Sequence, residues 1–194
     1  MKRLVFATGN PNKVKEVSEM LDDSFEVVSL KDIGFKDELP ETQATIQGNA
    51  LQKARTLHQA LGVDCFSEDT GLEVDALNGE PGVNSARYAG PSKSSEDNID
   101  LLLEKLKDER NRTARFRTVV ALILDGQEHL FEGIAEGEIL LERQGEGGFG
   151  YDPVFLPKGA SKTFAQMDSE EKNAISHRGK AIRKLISFLK NQIG

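Results

Sequence analysis

With 194 residues and no break in composition, the chain is expected to form a single domain, residues 1–194, around one sizeable core. Its 25 Lys and Arg against 32 Asp and Glu leave a net charge of −7, which argues against nucleic acid or an anionic membrane as a partner; a small anionic substrate would need local cations and a metal. A single cysteine, Cys65, excludes an internal disulfide, and no apolar run nears the roughly 18 to 20 residues of a membrane span or forms a signal peptide at the start, so a soluble, cytoplasmic protein is expected.

Leu4 to Ala7 reads as a buried strand, and Val14, Val17, Met20 and Leu21 recur at helical spacing. The loop between them, Thr8, Gly9, Asn10, Pro11, Asn12 and Lys13, sets a hydroxyl, two amides and a cation where free helix N–H groups also point, a combination suited to phosphate; it lacks the Gly-Lys-Ser/Thr ending of a P-loop. Phe25 to Leu30 reads as a second strand, and Gly34 and Pro40 break the polar link that follows. From Thr42, the residues Ile46, Ala50, Leu51, Ala54, Leu57 and Leu61 predict an amphipathic helix stopped by Gly62. Glu41 stands at its start, where an acid also simply complements the helix dipole, and Asn49 and Lys53, four apart, share one face.

Val63 to Ser67 predicts a short strand ending at Glu68-Asp69-Thr70-Gly71. Two adjacent carboxylates followed by a hydroxyl fit a magnesium and general-base corner, since Mg²⁺ takes hard oxygen ligands; a solvated turn is the competing reading. Glu73 and Asp75 alternate as surface charges of a strand, and Asn78 to Gly82 is a turn cluster leading to Ser85-Ala86-Arg87-Tyr88. A helix capped by Ser94 or Ser95 buries Ile99, Leu102, Leu103 and Leu106. Ala114 to Leu124 is the strongest predicted strand, and Asp125-Gly126 turns it into another around His129 to Ala135, with His129 on the strand surface.

Gly145-Glu146-Gly147-Gly148-Phe149-Gly150 has the form G-x-G-x-x-G, but Tyr151, Asp152, Pro153 and the apolar Val154 to Leu156 follow where a dinucleotide fold requires a helix. A rigid recognition loop with Phe149 as a stacking face is the better reading. Asp168 or Ser169 caps a short helix carrying Lys172, with Glu171 completing a capping box. His177 and Arg178 then open a final helix that buries Ala181, Ile182, Leu185, Ile186 and Leu189; cations at that end call for an anion or strong acceptor, supplied by a ligand or a structural salt bridge.

In this order, Thr8-Gly9-Asn10 with Lys13, Asn49-Ala50 with Lys53, Asp69-Thr70-Gly71-Leu72, Pro81-Gly82 with Ser85 to Tyr88, Gly147 to Pro153, and Lys172 with Ser176-His177-Arg178 resemble the inosine triphosphate pyrophosphatase (Ham1/RdgB-like) family over essentially the whole chain. The resemblance implies an α/β fold of two lobes around a long, mixed, twisted sheet flanked by helices, with an active-site cleft between the lobes and a homodimer as the assembly. It implies a Mg²⁺-dependent pyrophosphatase, a hydrolase cutting the α–β phosphoanhydride of ITP, dITP and XTP to clear the nucleotide pool. Carried over, Thr8 to Lys13 and Lys53 match triphosphate-binding positions, and Thr70 a substrate contact. Glu41, Glu68 and Asp69 match metal acids, Asp69 also the general base. Phe149, Gly150, Tyr151, Asp152, Lys172, His177 and Arg178 match the base-binding set. Departures are Gly48, where the family often has glutamate, Glu68 for a frequent aspartate, and Thr70 for serine. A phosphate-releasing enzyme and a non-hydrolysing nucleotide sensor are the alternatives.

Overall fold

In the computed structural model, which describes residues 2–193, the first apolar run lies in β1 (Lys2–Phe6). Pro11, free of a backbone donor and with φ preset, begins α1 (Pro11–Met20), and the N-cap Asn10 accepts the Asn12 N–H at 3.0 Å. β2 (Phe25–Ser29) follows, then α2 (Ile46–Leu61), which ends on Gly62 in the left-handed conformation at φ 65°. The helix starts later than its apolar pattern suggests. Thr45 caps it by accepting the Gly48 N–H, while Thr42 and Gln43 fold back so that their N–H groups donate to the Gln52 and Asn49 side chains. These side-chain acceptors compete with helical hydrogen bonding over the four preceding residues, so Glu41 lies in a loop before the helix.

β3 (Cys65–Val74) runs well past Ser67, which puts Glu68, Asp69 and Thr70 in mid-strand instead of at a strand end. The short β4 (Pro81–Gly82) pairs with it, and α3 (Ser95–Lys105) is capped by Ser94. β5 (Thr113–Leu124) and β6 (Gln127–Ile139) are joined at Asp125 and Gly126, both at positive φ (51° and 78°), as a two-residue hairpin turn requires. β7 (Phe155–Pro157), α4 (Ser169–Ile175) with its Asp168–Glu171 capping box, and α5 (His177–Ile193) complete the order.

The strands form one mixed sheet in the order β2-β1-β3-β5-β6-β7, with β4 beside β3. β1 is parallel to β2 and β3, whereas β4 and β7 run antiparallel to their neighbours, giving the α/β class expected. The chain divides into two compact units. The first holds residues up to Asp69, Thr118–Gly133 and those from Arg178 onward; the second holds Thr70–Arg117 and Ile134–His177. Each has its own core. In the first, Phe6 and Phe66 stack at 4.4 Å and pack with Leu4, Val17, Val120, Leu122, Ile182 and Leu185. In the second, Leu72, Ile99, Leu102, Phe116, Phe155 and Phe164 pack together, each fully buried side chain contributing about 1.5–3 kcal/mol of transfer free energy. Among the described residues no helix is long and apolar enough to cross a membrane.

Candidate functional site

Within the first unit the chemistry gathers around β3. Lys53, brought in by α2 and 6% exposed, donates to the Glu68 carbonyl at 2.6 Å and lies 2.7 Å from Glu41 Oε1 and 3.8 Å from Asp69 Oδ1. A lysine buried this far needs acceptors and compensating charge, and the backbone carbonyl with the two carboxylates supplies them. Asp69 is 9% exposed, and its Oδ2 is buried without a hydrogen-bond partner among the described residues. Burial raises its carboxyl to about 6 against the opposing pull of Lys53 and Lys13, with Glu41 and Glu68 adding to the rise.

The adjacent Glu68 has a different environment. Arg178 Nε donates to Glu68 Oε2 at 2.7 Å and Nη2 to Oε1 at 3.1 Å, while Lys13 Nζ lies 2.8 Å from the same Oε1. The third arm of the guanidinium, Nη1, donates to Glu16 Oε2 at 2.5 Å. Burial alone would raise the Glu68 carboxyl, but Arg178 and Lys13 overcome it and hold the group well below the usual carboxylate range. Neighbouring acids on one strand are thus divided: Glu68 is locked as an anion between two cations, and Asp69 keeps an oxygen unengaged.

Those contacts decide which residues suit a metal. Glu68, expected among the metal acids, has both oxygens occupied by cations. The orphaned Asp69 oxygen and the partly exposed Glu41 carboxylate do match the hard-oxygen preference of Mg²⁺, which keeps several waters and needs only one or two carboxylates. Arg178, expected to face a purine, is 1% exposed and forks between Glu68 and Glu16, the salt-bridge alternative for a cation at a helix entrance. In the predicted phosphate loop, Thr8 Oγ1 accepts the Asn10 N–H at 3.1 Å, and Gly9, Pro11 and Asn12 are exposed.

Thr70 is half-buried and begins the second unit, which assembles the glycine loop with Lys172. Asp152 Oδ2 accepts the Phe149 N–H at 3.0 Å and pairs with Lys172 Nζ at 2.7 Å, and that ammonium lies 4.6 Å from the centre of the Phe149 ring. Gly148 has φ +67°, and a Cβ there would stand 2.2 Å from Asp152 Oδ2, so only glycine permits this closure. Phe149 and Gly150 are half-buried, which leaves the ring partly accessible. Tyr151 turns inward instead, its hydroxyl donating to the Ser85 carbonyl at 2.6 Å. The His177 ring, 3% exposed, stacks on Phe116 at 4.6 Å with an interplanar angle of 15°. A groove of about 590 Å³ bounded by Asp75, Arg115, Glu136, Glu138 and Lys158 contains none of the predicted site residues.

Sequence reasoning missed Glu16 and Phe116, and named Ser85 only as part of a motif, without its contact to Tyr151. The first had a usable signal, its position three residues after Lys13 on one helical face. Phe116 had none beyond strand alternation. Gly48, where the resemblance departs from its pattern, has a local reason: a Cβ there would lie 2.8 Å from Gln43 Cβ and 2.9 Å from Thr45 Oγ1, in the segment folded back before α2.

The sequence profile of the Ham1 family matches residues 4–188. The dITP/XTP pyrophosphatase of Flavobacterium psychrophilum is 53% identical over 189 residues, covering 97% of this chain and all of the relative. That of Bacillus subtilis is 46% identical over 193 residues, covering 97% and 98%. Among solved structures, the Staphylococcus aureus Ham1 protein aligns at TM-score 0.90 and 39% identity over 98% of this chain and all of its own.

Proposed function

The chain belongs to the Ham1 family, and from that premise we propose that it is a dITP/XTP pyrophosphatase: it hydrolyses deaminated purine nucleoside triphosphates to the monophosphate and pyrophosphate. The observation that carries the chemistry is Asp69, a buried carboxylate with one unengaged oxygen, raised by burial to about 6, beside a buried lysine. Those are the properties of a general base for water. ITP belongs to the same substrate set, since it presents the same base.

In the reaction, a water oxygen bonds to the α-phosphorus, the bond from that phosphorus to the α–β bridging oxygen breaks, and pyrophosphate leaves with the bonding pair. Asp69 takes the proton of the attacking water. Lys53 and Lys13, with the Thr8 hydroxyl, the Gly9 N–H and the side-chain amides of Asn10 and Asn12, bind the triphosphate and offset its charge, and Thr70 adds a further contact. Glu41 and Asp69 would hold Mg²⁺, which when bound neutralises phosphate charge as a Lewis acid. Glu68 orients the surrounding cations and is not assigned to the metal.

The base is assigned to the second unit. Phe149 supplies a stacking face, the backbone from Gly150 to Asp152 frames it, and Lys172 and His177 supply N–H donors. Hypoxanthine and xanthine carry an acceptor at O6 where adenine carries an amino group, so donors aimed there would reject adenine. Arg178 is assigned to Glu68 in place of the base. A cytoplasmic homodimer completes the reading: the polymerase precursor pool is where such an enzyme would act, and light scattering tests the assembly.

Product analysis on dITP, XTP, ITP and ATP, with and without Mg²⁺, tests the function. Pyrophosphate and monophosphate from the first three, dependent on Mg²⁺ and with ATP poorly used, is the expected result. Release of orthophosphate, or equal use of ATP, would overturn it, and ligand-induced stabilisation without product would indicate a nucleotide sensor.

A further inference from the structure

Glu68 Oε1 receives two cations at once, Lys13 Nζ at 2.8 Å and Arg178 Nη2 at 3.1 Å. Two positive groups sharing one buried oxygen repel each other, and a single carboxylate neutralises only one of them. The second negative charge is Glu16, 9% exposed, on the far arm of the guanidinium. The four groups together are neutral, which is the condition for keeping them out of water. Glu16 and Lys13 also sit three residues apart on α1, so one helix supplies both the cation that reaches Glu68 and the acid that compensates Arg178.

We propose that Glu16 is a positioning residue for the phosphate loop: by neutralising Arg178 it lets Lys13 share Glu68, and so holds the Lys13 ammonium and the N-terminal end of α1 in place for a triphosphate. It touches no substrate atom. With Glu16 uncharged, Arg178 claims Glu68 alone, Lys13 is driven toward solvent, and the loop from Thr8 loses its anchor at the helix end. The inference rests on the assignment of Lys13 to the triphosphate and adds a residue to it.

The test compares Glu16→Gln, Lys13→Met and the double variant, reading KM and kcat with dITP and the inhibition constant of inorganic tripolyphosphate, a probe with no base. For Glu16→Gln, KM and the tripolyphosphate constant are expected to rise together by about tenfold while kcat stays within about threefold, and Glu16→Gln is expected to add nothing in the Lys13→Met background. Glu16→Asp, which keeps the charge, is read in the same way should Glu16→Gln fail to fold, and is expected to fall between wild type and Glu16→Gln. A lowered melting temperature with the tripolyphosphate constant unchanged would mean a merely structural role and overturn the inference. An unchanged constant in Lys13→Met would overturn the phosphate-loop assignment and this inference with it, whereas a change in Lys13→Met but none in either Glu16 variant overturns the inference alone.

Discussion

Replacing Asp69 by Asn is expected to abolish turnover and, in metal-free buffer, to make the protein more stable. Burial raises this carboxyl from 3.8 to about 6, so folding favours its protonated form. Well below pH 3.8 the group is protonated in both folded and unfolded chains and contributes no difference. As pH rises from 4 to 6 the unfolded chain ionises first, and wild type loses stability progressively; above the folded value the loss is constant. The rise from 3.8 to about 6 corresponds to about 3 kcal/mol, and relaxation around a charged group reduces this toward about 2 kcal/mol. Asn is neutral throughout and is spared the loss. For a chain of this length the gain is about 4–8 °C in melting temperature near pH 7.5, shrinking toward zero at pH 4. Circular dichroism melts of both proteins in chelator from pH 4.5 to 8 measure it. A pH-independent difference, or an Asn variant less stable than wild type at pH 7.5, would refute the reasoning. Added Mg²⁺ is expected to stabilise wild type and leave Asp69→Asn unchanged.

The remaining expectations concern the loop and the helix start. Lys172→Met leaves Asp152 buried without its cation, and should cost about 3 kcal/mol in urea unfolding and raise KM for dITP. Gly148→Ala drives a methyl group into Asp152 at a left-handed φ, with an expected loss of about 2 kcal/mol and weaker binding of dITP by isothermal titration. Gly48→Glu would restore the residue type the family often carries, yet its Cβ meets Gln43. It is expected to lower the melting temperature and, by moving the segment that bears Glu41, to raise the Mg²⁺ concentration needed for half-maximal activity.

The apolar periodicities of α1, α3 and α5, the Asp125-Gly126 hairpin, the Gly62 stop and the Asp168–Glu171 capping box were legible because each depends on residues within one turn of each other. The ordered sequence motifs likewise named Lys53 and Asp69, and Phe149 and Lys172, which the fold brings together as two pairs. Local pattern alone did not reveal that β3 continues through its polar triplet. An isolated Glu68-Asp69-Thr70 resembles a turn, and pairing with neighbouring strands makes it extended. The same limit applies to charge. Adjacent carboxylates looked equivalent in the chain, yet Arg178, 110 residues away from Glu68, locks one of them, while burial beside Lys53 tunes the other. Sequence by itself determined which ionisable groups were present and which helices carried them. Only the tertiary structure decided their partners, because the energy of a buried charge is set by the ions and dipoles within a few ångströms, and those come from distant parts of the chain.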